Sequence, residues 1–258
     1  MLCGACTNQT NDAKTDLSKN SDSSDVHEQL SNRQSESESE VSSKKDSFES
    51  SKSSKTVLKS DDAGTDPYQE KTGGTSYRLD LEQSVQETAY WCGPAALQMV
   101  LHYHGISASQ EELANELHTS SVTGTEYADL ARVASEYIFG SVPQTDQDPG
   151  YREVLFKRNE ADDNDRRVFE QRIVDDLRGG DPVFVSINNN VAYQTGKDDV
   201  HQIVVYGVDI DESGKPVAYY YRDPSYLMQD EETEGKYSMS ADEMWSSMID
   251  NPEPGYVW

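Results

Sequence analysis

Cysteine is scarce in this 258-residue sequence: Cys3, Cys6 and Cys92 are the only three, and two of them fall within the first six residues. That set cannot build a disulfide framework. Basic residues are also few, 22 Lys and Arg against 48 Asp and Glu, for a formal net charge of -26. A chain with that balance repels a phosphate backbone, so no nucleic-acid partner is expected. Long apolar runs are missing as well, and no stretch has the roughly 20 apolar residues needed to span a bilayer as a helix. Aromatic side chains are missing from one end: before Tyr68 the only one is Phe48.

The mean hydropathy of -0.82 is too polar for one globule of this length. Residues 1–73 are mostly Ser, Asp, Glu, Lys, Asn and Thr. Such a segment buries too little apolar surface to offset the entropy of ordering it, so it reads as a disordered tether. From Gly74 onward apolar runs, tryptophans and turn signals appear, and residues 74–258 suit one domain with a core. After Gly73 there are 34 acidic and 13 basic residues, so about -21 of the charge belongs to that part. An acidic surface steers cationic partners, although it also simply keeps a protein soluble.

The opening Met1-Leu-Cys-Gly-Ala-Cys6-Thr-Asn-Gln-Thr resembles the end of a bacterial lipoprotein signal, in which small residues precede a lipidated cysteine. Cys3 stands where such signals usually have Leu, and no basic or apolar region precedes it. The resemblance implies an exported, cell-surface protein tethered to the membrane through Cys6, with 1–73 as a spacer; the alternative is an ordinary cytoplasmic tail.

Within 74–258, Gly93 to His104 has apolar residues at Ala96, Leu97, Val100 and Leu101, a helical spacing with Pro94 in the first turn and Gly105 as the stop. Helices are also predicted over Ser109–Leu117, opened by Ser-Gln-Glu-Glu, over Glu126–Tyr137, and over Val168–Leu177 before Gly179-Gly180. Residues 140–165 read as a long loop with a short element near Val154–Phe156. Then the period changes. Pro182–Ile187, His201–Val208 and Val217–Arg222 read as strands, the last two joined by the Asp211-Glu-Ser-Gly214 turn. Helices first and a strand meander afterwards describe an α+β domain, with N-terminal helices packed on a C-terminal antiparallel sheet.

If the last two strands form an antiparallel hairpin, facing residues have numbers summing to 424–427, which puts His201 across from residues 223–226. Asp223 stands there, so a carboxylate meets an imidazole; it would fix the tautomer and raise the basicity of the ring. Cys92 falls immediately before the Gly-Pro helix start, where unpaired N–H groups and the macrodipole favour a thiolate. Gln86, six residues upstream, can supply a side-chain amide to a tetrahedral oxyanion, with the Cys92 backbone N–H as the second donor.

Together, Gln86-Glu-Thr-Ala-Tyr-Trp-Cys92-Gly-Pro-Ala-Ala, His201-Gln-Ile-Val-Val-Tyr-Gly-Val-Asp and Asp223-Pro224 resemble the peptidase C39-like family over about residues 77–228. The resemblance implies a papain-like fold and a cysteine peptidase. By that resemblance Cys92 is the nucleophile, His201 the general base and then acid, Asp223 the orienting carboxylate and Gln86 the oxyanion donor. It implies a peptide or protein substrate and no metal or organic cofactor. Some members are peptidase domains of exporters that cut leaders after a Gly-Gly pair. Neither a transporter membrane domain nor an ATPase follows in this sequence, so leader processing inside an exporter is not expected. Two other readings stay open: a surface-tethered binding or scaffolding module without turnover, and a transglutaminase-like acyl transferase.

Other features have plainer accounts. His102 and His104 lie about 15 Å or more along the helix axis from Cys92, too far to act on it. His118 reads as a helix-end residue and His27 belongs to the tail. Asp209-Ile-Asp-Glu-Ser-Gly214 opens like a calcium loop, but Tyr220 stands where that motif needs Glu, so it reads as a turn. Gly73-Gly74 and Gly179-Gly180 read as a linker and a helix stop, and Tyr219-Tyr220-Tyr221 as alternating strand residues.

Overall fold

In the computed structural model of the chain, the described residues are 74–158 and 160–258. The tether expected over 1–73, with Cys3, Cys6 and His27, lies outside them.

Helix α1 spans Cys92–Tyr103. It starts one residue earlier than expected, so Cys92 is its first residue rather than the one before it. Trp91 occupies the N-cap position and makes no side-chain cap. The N–H groups of the first turn therefore have no capping side chain from that residue, and they stay available to an anion. Gly105, at φ +76°, ends the helix in the left-handed conformation that glycine adopts without a Cβ penalty.

Helix α2 (Gln110–Glu116) opens on a reciprocal Ser109–Glu112 capping box. Helix α3 spans Tyr127–Phe139. Helix α4 (Asp163–Gly179) begins five residues before the expected Val168. Its polar first turn is held by an Asp162–Asp165 capping box and carries no apolar period to read.

Seven antiparallel strands form one sheet in the order β2-β7-β3-β4-β5-β6, with β1 paired to β4. They are β1 (Thr75–Arg78), β2 (Glu153–Leu155), β3 (Val183–Asn188), β4 (Val200–Ile210), β5 (Pro216–Arg222), β6 (Lys236–Ser240) and β7 (Gly255–Val257). A short helix α5 (Asn189–Tyr193) follows β3, and α6 (Ala241–Ile249) follows β6.

The register of the β4–β5 hairpin falls in the expected window. Val204 faces Arg222 and Val208 faces Tyr219, pairs whose numbers sum to 426 and 427. The sequence pattern stops short at the end of the chain, where β6, α6 and β7 add to the meander and β7 slots between β2 and β3. A readable signal for α6 was Ser240-Ala-Asp-Glu243, which forms a capping box, ahead of Met244 and Met248 at helical spacing.

Strand alternation divides the core between the two faces of the sheet. Phe184 and Val204 pack with Leu97, Val100 and Leu101 of α1, Leu113 of α2 and Leu130 of α3 in one cluster. Val183, Val185, Ile203 and Val205 pack with Phe169 and Ile173 of α4 and Met244 and Met248 of α6 in the other. Helices thus cover both faces, not only the one reached by α1–α3. Tyr219 and Tyr221 are core side chains, whereas Tyr220 points the other way and carries the Arg78 guanidinium 3.3 Å above its ring.

Candidate active site

Antiparallel neighbours β4 and β5 bring the first residues of one strand to the last residues of the other. His201 is the second residue of β4, and Asp223 follows the last residue of β5. His201 Nε2 stands 2.7 Å from Asp223 Oδ1. Both side chains are buried, Asp223 completely. With Nε2 facing the carboxylate, Nδ1 is the nitrogen left for a thiol.

Asp223 is held from several directions. The Ser225 backbone N–H donates to Oδ1 at 2.7 Å, and the Tyr193 hydroxyl donates to Oδ2 at 2.7 Å. Gln83 and Gln229 each donate a side-chain amide to the Asp223 carbonyl at 2.8 Å. Burial pushes this carboxyl up, but the His201 charge and hydrogen bond, Tyr193 and Ser225 outweigh it, and the group lies below the usual carboxylate range.

Cys92 reaches the same place because α1 lies over β4, its Leu97, Val100 and Leu101 in one buried cluster with Val204. The residue is partly buried. Burial alone pushes its thiol up; the hydrogen bond and charge of His201, with contributions from the Gln202 and Gly93 backbone, reverse the sign and leave it lowered. Burial likewise pulls the His201 imidazole down, but the Asp223 charge, its hydrogen bond and Cys92 raise it to about 10. The two shifts oppose each other in sign. A thiolate beside an imidazolium is the form they jointly favour.

Gln86 is buried, at 7% exposed. Its backbone N–H donates to the Pro224 carbonyl at 2.7 Å, which ties its segment to the residue after Asp223. From the other side, buried Gln110 of α2 brackets it: Oε1 accepts from Glu87 N–H at 3.0 Å, and Nε2 donates to the Val85 carbonyl at 2.8 Å. One hydrogen of the Gln86 amide goes to the Thr88 carbonyl at 2.8 Å, and its Oε1 has no partner. An amide nitrogen carries two hydrogens, so one remains for an incoming oxyanion.

The four residues singled out in the sequence therefore fall into two linked sets: Cys92, His201 and Asp223 in one chain of interactions, and Gln86 joined to it through Pro224. Tyr193, Ser225, Gln83, Gln229 and Gln110 had no signal in the sequence comparable to the motif residues. Ser225 alone was within reach, since Asp223-Pro-Ser225 is an Asp followed two residues later by an N–H, the spacing of an Asx turn. His102 is exposed, and His104 faces Asp181 at 3.8 Å, both away from the thiol. His118 pairs with Asp129 at the end of α2, and the 209–214 segment closes the β4–β5 hairpin. Among the described residues no group of three or more His, Cys, Asp or Glu is arranged to hold a metal ion.

Comparison with known proteins adds the family. Among curated proteins nothing matches. Of solved structures, a double glycine motif protease from an AMS/PCAT transporter, in complex with its leader peptide, is 16% identical, covering 70% of this chain and 91% of its own at a TM-score of 0.40. A C39-like peptidase from Bacillus anthracis is 15% identical, covering 70% and 95% at 0.45. The peptidase domain of Streptococcus ComA, a bifunctional ABC transporter in a quorum-sensing pathway, is 17% identical, covering 69% and 96% at 0.42. The model of the Peptidase_C39 like family matches residues 78–249, a span that holds Gln86, Cys92, His201 and Asp223 and takes in most of the described chain. With its papain-like α+β architecture, this protein belongs to the Peptidase_C39 like family of cysteine peptidase type.

Proposed function

We propose that this protein is a thiol-dependent hydrolase that cuts a peptide or amide bond through an acyl-enzyme on Cys92. The observation that carries the reading is the line of contacts from Cys92, at the start of α1, to the His201 imidazole and on to the buried Asp223 carboxylate 2.7 Å from His201 Nε2, an arrangement that lowers the thiol and raises the imidazole. The Cys92 thiolate attacks the carbonyl carbon, and the carbonyl electron pair moves onto oxygen. Gln86 Nε2–H and the Cys92 backbone N–H donate to that oxyanion. His201 then gives its proton to the leaving nitrogen, and the C–N bond breaks. Water, giving its proton to the now neutral His201 imidazole, attacks the thioester carbonyl; the C–S bond breaks, the acid is released, and the Cys92 thiolate and His201 imidazolium are restored. Asp223 keeps Nε2 engaged and Nδ1 toward the sulfur throughout.

A peptide as substrate fits the surroundings. Of the large apolar side chains that are exposed, Val85 is next to Gln86, Tyr90 is two residues before Cys92, Val200 precedes His201, and Tyr226 and Leu227 follow Asp223 closely. Exposed apolar groups gathered along the segments of a site mark a surface meant to be covered. Attachment to a cell surface through lipidated Cys6, with 1–73 as spacer, belongs to the same proposal and rests on the opening motif and composition.

The test is labelling with iodoacetamide or an E-64-type epoxide, read by intact mass, beside digestion of a proteome-derived peptide library. Cys92 should label faster than in denatured chain, and library cleavage should vanish in Cys92→Ala. Equal labelling rates in folded and denatured chain would refute the reading. Incorporation of a labelled primary amine in place of water would instead assign an acyl transferase.

A further inference from the structure

On the Oδ2 side of Asp223 lies a cavity of about 370 Å³ that the hydrolytic chemistry does not use. Tyr193, Tyr221 and Tyr237 supply much of its wall, with Val191, Ala192 and Met239. The rings form one group: Tyr193 and Tyr237 have centroids 6.0 Å apart, and Tyr221 stacks on Tyr237 at 5.9 Å. Tyr221 is 2% exposed, while Tyr193 and Tyr237 are half-buried.

Two carboxylates, Asp242 and Glu243 in the first turn of α6, line the same cavity. Asp242 shares its charge with Arg166 at 2.6 Å. Glu243 accepts from the Ser240 N–H and hydroxyl, and its charge reaches Tyr221, where it opposes ionisation of the phenol. Among the described residues that line the cavity there is no Lys, Arg or His. Tyrosine rings beside the Glu243 carboxylate attract an organic cation from two directions, whereas Asp242 is already engaged by Arg166. The volume accommodates an arginine or lysine side chain, and the net charge of about -21 after Gly73 draws basic chains toward the surface.

We propose that this cavity is a binding site for the cationic side chain of a basic peptide. An arginine or lysine lies with its aliphatic stem against Val191, Ala192 and Met239 and its charged head between the tyrosine rings and Glu243. The site is separate from the thiol, so binding does not depend on whether Cys92 hydrolyses anything.

Full-length Cys92→Ala protein, labelled with ¹³C at the methionine methyls, tests it. Met239 is a wall of the cavity, and its resonance is assigned by Met239→Leu. N-acetylarginine amide is titrated in beside N-acetylcitrulline amide, nearly the same shape without the charge, and N-acetylnorleucine amide. The arginine probe should shift the Met239 methyl with a Kd about tenfold below that of citrulline, the discrimination expected of a partly desolvated cation–π contact. Ser246→Trp, which projects a ring from an exposed position of α6 into the cavity, should abolish that shift while the Met99 and Met244 resonances report an intact core. Equal binding of citrulline or norleucine overturns the proposal, as does the absence of any Met239 shift or unchanged binding in Ser246→Trp.

Discussion

His201 Nε2 lies 2.7 Å from Asp223 Oδ1, and no part of Asp223 reaches solvent. The carboxylate is therefore the main reason that a buried imidazole holds a proton instead of losing it. Asp223→Asn keeps the shape and removes the charge. It should lower the rate of Cys92 alkylation at neutral pH and reduce any peptidase activity about 10²–10⁴-fold, the range for a disabled acid–base pair. The acid limb of the alkylation profile should move upward toward an ordinary thiol. An unchanged profile would remove Asp223 from the site.

The pH dependence of the intact site follows from the two signs. Cys92 is lowered, so its thiolate persists as pH falls below the ordinary thiol range and is lost only at the depressed value. His201 is raised to about 10, so the imidazolium persists through neutral pH and is lost as pH climbs through that value. Turnover that needs both charges should follow a bell whose acid limb lies below the ordinary thiol value and whose alkaline limb lies near 10. Second-order alkylation rates between pH 4 and 11 locate the acid limb and the pH dependence of kcat/KM locates the alkaline one; a single alkylation rise near the free-thiol value would contradict the ion pair.

Gln86 and Gln110 separate two roles. Gln86→Ala removes the proposed oxyanion donor and should cost about 10²–10³ in kcat, with the Cys92 alkylation rate nearly unchanged because alkylation develops no oxyanion. Gln110→Leu leaves the Glu87 N–H and the Val85 carbonyl without their side-chain partner. It should destabilise the fold by about 1–3 kcal/mol and reduce kcat in the same direction as Gln86→Ala. Urea unfolding beside steady-state kinetics distinguishes them.

Tyr193 acts on the thiol only through Asp223 and His201. Tyr193→Phe removes the donor to Oδ2 and leaves the ring in place. The carboxylate then loses a stabilising hydrogen bond of roughly 1.5–3 kcal/mol for a charged acceptor. The alkylation profile should shift with little change in substrate KM, which marks a positioning residue. A changed KM with the profile intact would place Tyr193 in substrate contact instead.

Gly93 allows α1 to start against the loop before α3. A Cβ at this position would meet Thr125 Cβ at 2.7 Å. Gly93→Ala should cost about 1–3 kcal/mol by overpacking, and pairing it with Thr125→Ala, which removes Oγ1, the atom nearest the added methyl, should return part of that in thermal melts.

How much was legible follows from the range of each relationship. The helical period from Ala96 to Leu101 and the Gly105 stop could be read directly, because helix-forming and helix-stopping preferences act within a few residues. The meeting of His201 with Asp223 could be counted along the chain, because one turn sets an antiparallel register and every later pair follows from it. The start of α4 was missed because its first turn is polar and capping rather than apolar period marks it; α6 was missed whole although its Ser240–Glu243 capping box could be read.

By itself, then, the sequence determined helices α1–α4 and strands β3–β5, the hairpin register and the candidate residues Gln86, Cys92, His201 and Asp223. Only the tertiary structure decided that Cys92 arrives at His201, since that depends on α1 packing over β4 from more than a hundred residues away. It also decided the bracing of Gln86 by Gln110 and of Asp223 by Tyr193. Neither contact leaves a period or a spacing to read. Each is a side-chain hydrogen bond between segments that share no register, and such bonds are settled when the core closes and its buried polar groups must find partners.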